Sequence, residues 1–237
     1  MAEPFHCDFS GRLFMGHLGN HLLNAADFHS TDRGFGMQYL MSIRRSWVLS
    51  RLAIEMDEMP TMYTRFSVET RVESAMRYFT SRNFAVVGTD GHVYGYGRSI
   101  WAMIDTETRQ PTDIYAIDNG AIDNWIVADR ECPIAKGGRV KMSDEAPLAA
   151  TVDTHYNDVD INGHINSVKY IEHVLDLWPM DWWRHHRLHR FEIAYVAEAH
   201  GGDRLTLYQE QTADGEYCVR IVRTDGTECC RCKLTFT

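Results

Sequence analysis

The strongest constraint on this chain is that its two halves repeat one plan. Residues 84–104 read as strand, Thr-Asp-Gly turn, strand, and residues 218–236 do the same, with the turns 135 residues apart (225 − 90). Asp-Gly between two alternating runs is a strong hairpin signal, because the tight turn needs residues that tolerate positive φ. The match continues upstream. Residues 65–73 and 204–210 alternate apolar and polar side chains, and residues 46–54 and 189–196 precede them as further strands. Earlier still, each half has a helical segment, roughly 17–29 and 168–177. Each half therefore reads strand, helix, then several antiparallel strands. This is an α+β class in duplicate, with a period too long for a solenoid.

A first domain is expected over residues 1–118 and a second over 148–237. The linker expected at 119–147 is rich in Gly, Asp, Lys and Pro and contains Lys136-Gly-Gly-Arg139. At 237 residues and 44% hydrophobic content, the chain can bury a substantial core. No apolar run approaches the length of a membrane span, and residues 1–6 lack the basic-then-apolar pattern of a secretory signal, so a cytoplasmic location without membrane insertion is expected. The formal charge of −9 argues against nucleic acid as a partner. It leaves room for a local basic patch, and the best candidates are the stretch from Trp182 to Arg190 and the pair Arg44-Arg45.

The six cysteines read as reduced and structural. In Cys229-Cys230-Arg231-Cys232, strand alternation places Cys230 and Cys232 on one face and Cys229 on the other. No second Cys or His pair follows at metal-binding spacing.

The densest concentration of chemistry is the run from Tyr156 to Tyr170, which holds Asp158, Asp160, Asn162, His164 and Asn166 and then opens into a helix. Helix capping uses one or two such side chains, so the others call for another explanation. Asp160, Asn162 and His164 alternate with Ile161 and Gly163, and a near-extended backbone would point all three polar groups to one side. Gly163 permits a tight turn or a close approach to a ligand. A carboxylate, an amide and an imidazole so grouped can orient a carbonyl, hold a water and move a proton.

On these residues the chain resembles the acyl-ACP thioesterases of plants and bacteria. The family pattern Asp-x-Asn-x-His followed by Asn-x-Val-Lys-Tyr-Ile is matched by Asp160, Asn162, His164, Asn166, Val168, Lys169, Tyr170 and Ile171. The first half also resembles the family's N-terminal domain, with Trp47-Val48 entering a strand and Arg98-Ser99-Ile100-Trp101 in the return strand of the hairpin. The resemblance implies two tandem hotdog domains, each a long helix wrapped by a curved antiparallel sheet.

It also implies hydrolysis of fatty acyl-acyl carrier protein to free fatty acid and carrier protein, without cofactor or metal. A water would attack, with Glu198 as the leading base and Asp160, Asn162 and His164 assisting. Plant members carry a cysteine after that glutamate; here Ala199 stands there, which removes a thiol nucleophile. Backbone N–H groups near Asn166 are expected to help bind the developing oxyanion. The implied partner is acyl carrier protein with its phosphopantetheine-linked chain, held by a monomer or homodimer. The acyl chain would lie between the first-half helix and its sheet. Leu22, Leu23, Phe28, Met37 and Met41 are plausible lining residues there, though core packing is the better reading of each. Alternatives consistent with the same residues are an acyl-CoA thioesterase, a hotdog hydratase or dehydratase, and a non-catalytic acyl-binding module.

Overall fold

The computed structural model describes residues 1–237 and divides the chain into two units, Met1–Lys136 and Gly137–Thr237. The boundary after Lys136 falls inside the 119–147 segment. Residues before it belong to the first unit: Ile122 and Ile134 are buried, and the Val127 amide donates to the Val72 carbonyl. No helix is long and apolar enough to cross a membrane.

In the first unit, α1 (Met15–Thr31) and the short α2 (Met37–Ser42) precede β1 (Arg45–Met56), β2 (Phe66–Ala75), β3 (Phe79–Gly88) and β4 (Val93–Asp105). The strands lie in the order β2-β3-β4-β1, all antiparallel. The helix forms because its buried residues Met15, Leu18, Leu22 and Ala26 recur every three or four positions and make one apolar face. That face meets the sheet closely at Gly97, where a Cβ would come within 3.2 Å of Phe84 and 3.4 Å of Leu22. The leading strand expected before this helix is absent. Two isolated bridges, Cys7–Leu13 and Arg12–Thr61, take its place.

The second unit runs β5 (Leu148–Asp153), α3 (Ser167–Leu175), α4 (Met180–His185), β6 (Leu188–Tyr195), β7 (Arg204–Ala213), β8 (Glu216–Arg223) and β9 (Glu228–Phe236). Its order, β6-β9-β8-β7-β5, repeats the first unit's arrangement read in reverse, with β5 added at the β7 edge. The two hairpin turns are built alike. The Asp90 carboxylate accepts the His92 amide at 3.0 Å, and the Asp225 carboxylate accepts the Thr227 amide at 3.0 Å.

Several side-chain placements depart from expectation. Cys229 does not face away from Cys230, and both are fully buried. Cys230 pairs with Ile221 while Glu228 pairs with Val222, leaving Cys229 as the extra residue of a β-bulge, which breaks the alternation. All six cysteines are free thiols. Of the apolar residues read as core in the first half, Leu22 is fully buried, but Phe28 is 64% exposed and Met41 53%. Phe28 lies off the helix face set by Leu18, Leu22 and Ala26.

Candidate active site

The segment from Asp160 to His164 is a tight turn rather than an extended strand. The Gly163 amide donates to the Asp160 carbonyl at 3.0 Å and the Asp160 amide to the His164 carbonyl at 2.8 Å, with Val159 and Ile165 bridging behind. Gly163 has φ +81°, a conformation glycine adopts at little cost. Short polar residues favour such a turn because a side-chain oxygen can bond the amides two and four residues on. One Asp160 carboxylate oxygen accepts the amides of Asn162 at 2.8 Å and His164 at 3.2 Å, and the other lies 3.4 Å from the Asn162 side-chain nitrogen.

Asp160 thus shapes the turn that presents the other two. Asn162 is exposed and His164 half-buried. Three of the backbone amides near Asn166 are engaged elsewhere, and the Ser167 amide that opens α3 is not. The Asn166 amide donates to the Asp158 carbonyl, the Ile165 amide to the Ala199 carbonyl, and the Val168 amide to the capping oxygen of Asn166, at 2.8, 2.8 and 3.0 Å.

Glu198 enters from the segment between β6 and β7. His164 and His200 form an antiparallel bridge, which lays that segment beside the turn. The Glu198 carboxylate lies 3.4 Å from His164 Nε2, with about a third of its side chain exposed, so water reaches the pair. The His200 ring meets the His164 ring edge-on at 5.1 Å. Ala199 between them is fully buried. The structure therefore brings Asp160, Asn162, His164 and Glu198 to one place.

Arg223, His173, Tyr195 and His200 escaped the sequence reading, which named Asp158 without giving it a role. The Arg223 guanidinium donates to the Glu198 carbonyl at 3.0 Å and is itself held by Asp225 at 2.8 Å. Asp158 is buried, accepts the His155 amide at 2.7 Å, and lies 3.8 Å from His173 Nε2 on α3. Burial holds the His173 imidazole below its ordinary pKa, against the pull of Asp158. The Tyr195 hydroxyl donates to the Ser167 carbonyl at 2.8 Å, tying β6 to the first turn of α3. His200 could have been sought two residues beyond Glu198, but nothing local in the sequence marks Arg223.

The candidate basic patches are largely matched by acids. Arg184 lies 3.6 Å from Asp181, Arg190 2.7 Å from Glu192, Arg44 3.1 Å from Glu107, and Arg45 pairs with Asp105.

Comparison with known proteins bears on the whole of this arrangement. The acyl-ACP thioesterase N-terminal domain matches residues 4–116, and the acyl-ACP thioesterase C-terminal domain matches residues 141–237. The chain belongs to the acyl-ACP thioesterase family. A structure described as an acyl-ACP thioesterase from Bacteroides thetaiotaomicron is 49% identical and superposes with a TM-score of 0.93, covering 100% of this chain and 95% of that one. The 12:0-ACP thioesterase from Umbellularia californica, at 21% identity and a TM-score of 0.86, covers 100% of this chain and 95% of its own and shares the fold. Among curated relatives, the chloroplastic dodecanoyl-[acyl-carrier-protein] hydrolase of Cinnamomum camphora is 28% identical over 76% of this chain and 50% of its own length. The chloroplastic palmitoyl-acyl carrier protein thioesterase of Gossypium hirsutum is 26% identical over 90% of this chain and 57% of its own. The chain thus spans about half the length of the curated relatives it matches.

Proposed function

We propose that this acyl-ACP thioesterase family member hydrolyses fatty acyl thioesters of acyl carrier protein to free fatty acid and carrier thiol. Residues 1–118 would hold the acyl chain and residues 148–237 would carry the chemistry. The observation that carries the reading is the 3.4 Å approach of Glu198 to His164, on a turn whose backbone amides at Asn162 and His164 donate to the Asp160 carboxylate.

Glu198 takes a proton from water as the water's oxygen attacks the thioester carbon. The electron pair of the carbonyl moves onto its oxygen and returns as the C–S bond breaks. His164 delivers a proton to the leaving thiolate, and the proton that Glu198 took from water passes to the imidazole 3.4 Å away, which restores both groups. The amides of Asn162 through Asn166 are all engaged within the second unit, which leaves the exposed Asn162 side-chain amide, and the Ser167 amide at the start of α3, to meet the oxyanion. Asp160 acts by orienting Asn162 and His164. Its own oxygens are turned toward the amides of the turn.

The test is thiol release from matched long-chain acyl-carrier-protein and acyl-CoA substrates, with folded Glu198→Ala as control. Faster release from the carrier protein, abolished in the control, is the expected result. Preference for CoA would reassign the partner and keep the chemistry, whereas undiminished release by Glu198→Ala would sink the mechanism. Charge reversal at Arg184 and Arg187 should slow carrier-protein substrates more than small thioesters, and equal effects would remove this surface from docking.

A further inference from the structure

Glu198 lies in the loop between the end of β6 at Tyr195 and the start of β7 at Arg204. A carboxylate on a loop keeps one distance from its partner only if the main chain beneath it is fixed. Three groups fix it after Glu198. The Ile165 amide donates to the Ala199 carbonyl at 2.8 Å, the His200 amide to the Asp203 carboxylate at 2.8 Å, and the Thr154 hydroxyl to the His200 carbonyl at 3.0 Å. The Glu198 carbonyl itself is held from another strand by a cation, Arg223 at the end of β8, at 3.0 Å. A hydrogen bond from a charged donor is about twice as strong as one between neutral groups. The guanidinium is fixed in turn by the Asp225 carboxylate, 2.8 Å from one terminal nitrogen and 3.4 Å from Nε.

Support of the hairpin turn does not account for this arginine, and the first unit shows why. Gly88 stands there in the place of Arg223. Its amide donates to the His92 carbonyl and its carbonyl accepts the Gly91 amide, as those of Arg223 do with Thr227 and Gly226. The same turn therefore forms with no side chain at that position, and a Cβ on Gly88 would crowd the Asp90 carboxylate at 2.6 Å.

Other differences between the units fall around the same loop. Pro60 takes the place of Ala199, its carbonyl bonded by the Leu13 amide at 2.9 Å, and Met59 takes the place of Glu198. Leu18 takes the place of Tyr170, whose buried hydroxyl lies by the Ala199 amide, short of a well-aligned hydrogen bond. Where there is no carboxylate to hold, the guanidinium, the amide and the phenol are all missing.

We propose that Arg223 is a positioning residue for the hydrolysis: by bonding the Glu198 carbonyl it keeps the Glu198 carboxylate at its 3.4 Å approach to His164. It acts through the main chain and touches neither water nor thioester. The inference rests on the reading of Glu198 as the base.

The experiment measures thiol release from acyl-carrier protein by wild type, Arg223→Met and Asp225→Asn, together with the His164 ring Cε1 resonance in 13C-histidine-labelled protein. Arg223→Met should lower kcat about 10- to 100-fold, as misplacing a reacting group does, with KM within about twofold of wild type. Added methylguanidinium should restore part of that rate, which a mere loss of packing would not allow. Asp225→Asn leaves an oxygen for the Thr227 amide but loosens the guanidinium, so its kcat should fall less. The His164 resonance should move in Arg223→Met in the direction it moves in Glu198→Ala, and this reads the geometry without turnover. An unmoved resonance and full kcat in folded Arg223→Met, or a lowered kcat that methylguanidinium leaves unchanged, would overturn the proposal. Should Arg223→Met fail to fold, Asp225→Asn decides, and full kcat with an unmoved resonance there is equally fatal. If Glu198→Ala keeps the full rate while Arg223→Met moves the resonance, the base reading falls and the hold of Arg223 on the carboxylate stands.

Discussion

The two units carry the same turn ahead of their helices, and the two turns present different side chains. In the second unit Asp160-Ile-Asn-Gly-His164 precedes α3, and in the first Asp8-Phe-Ser-Gly-Arg12 precedes α1. The hydrogen bonds agree one for one. The Asp8 amide donates to the Arg12 carbonyl, the Gly11 amide to the Asp8 carbonyl, and the Asp8 carboxylate accepts the amides of Ser10 and Arg12 at 2.7 and 3.1 Å. Behind them Cys7–Leu13 bridges as Val159–Ile165 does, and Arg12 bridges Thr61 as His164 bridges His200. Two residues before those bridge partners stand Met59 and Glu198. What is shared, aspartate and glycine, is therefore architecture. What differs is serine for asparagine, arginine for histidine and methionine for glutamate. Those replacements fall on the groups to which the proposed mechanism gives the chemistry.

The sharpest way to break this parallel is to alter its most divergent position in each copy. Glu198→Ala should lower kcat about 10²- to 10⁴-fold, the usual contribution of a positioned base. Met59→Leu in the first unit should leave turnover where it was. If the two variants hydrolyse acyl-carrier protein at similar rates, Glu198 is not the base.

Next in size is Asn162→Ser, which writes the first unit's side chain into the second. Ser10 shows that serine sits well in this turn, its hydroxyl 2.7 Å from the Asp8 carboxylate. The fold should be indifferent to the change, while loss of an oxyanion donor should lower kcat about 10²-fold or more with little change in KM. An unchanged kcat, with the melting temperature also unchanged, would show that the amide does not meet the oxyanion.

A smaller effect separates architecture from chemistry at Asp160 itself. Asparagine can accept the same two amides, so Asp160→Asn should keep the turn and most of the rate. Asp160→Ala should cost about 1 kcal/mol of stability, as losing a comparable cap does, and lower turnover through misplaced side chains. Asp8→Ala should cost about as much stability and no turnover. A collapse of kcat in a fully stable Asp160→Asn would mean that the charge takes part in the reaction.

Much of this was legible in the sequence. The hairpins and the strands before them stand out because period-two alternation and Asp-Gly turns are local signals, and β2, β3 and β4 lie where those signals put them. The turn at residues 160–164 was harder. Asp-x-Asn-x-His has the periodicity of a strand, and only its likeness to Asp8-x-Ser-Gly-Arg12 shows that glycine sets the geometry. Cys229 was misplaced because a bulge belongs to the pairing of two strands and leaves no trace in the periodicity of one. Phe28 was misread from residue type, although the helical spacing of Leu18, Leu22 and Ala26 already puts it off the buried face. Glu198 came from family resemblance, and Arg223, which bonds the Glu198 carbonyl from 25 residues away, came only from the structure.

The gentlest probe of the shared architecture is the glycine in each turn. Gly11 and Gly163 have φ of +75° and +81°, and a Cβ at either would meet nothing within 4 Å. Alanine therefore introduces backbone strain without a clash, and each substitution should cost about 1 kcal/mol. Equal costs in Gly11→Ala and Gly163→Ala, read from denaturant midpoints with unchanged slopes, would establish that the two turns are energetically one motif. Turnover should then separate them. Gly163 sets the angle at which Asn162 and His164 leave the backbone, so Gly163→Ala should lower kcat several-fold, while Gly11→Ala leaves it alone. A Gly163→Ala variant that loses stability and keeps full kcat would show that the strained turn is fold support alone, and that Asn162 and His164 tolerate more freedom than the geometry of Asp160 suggests.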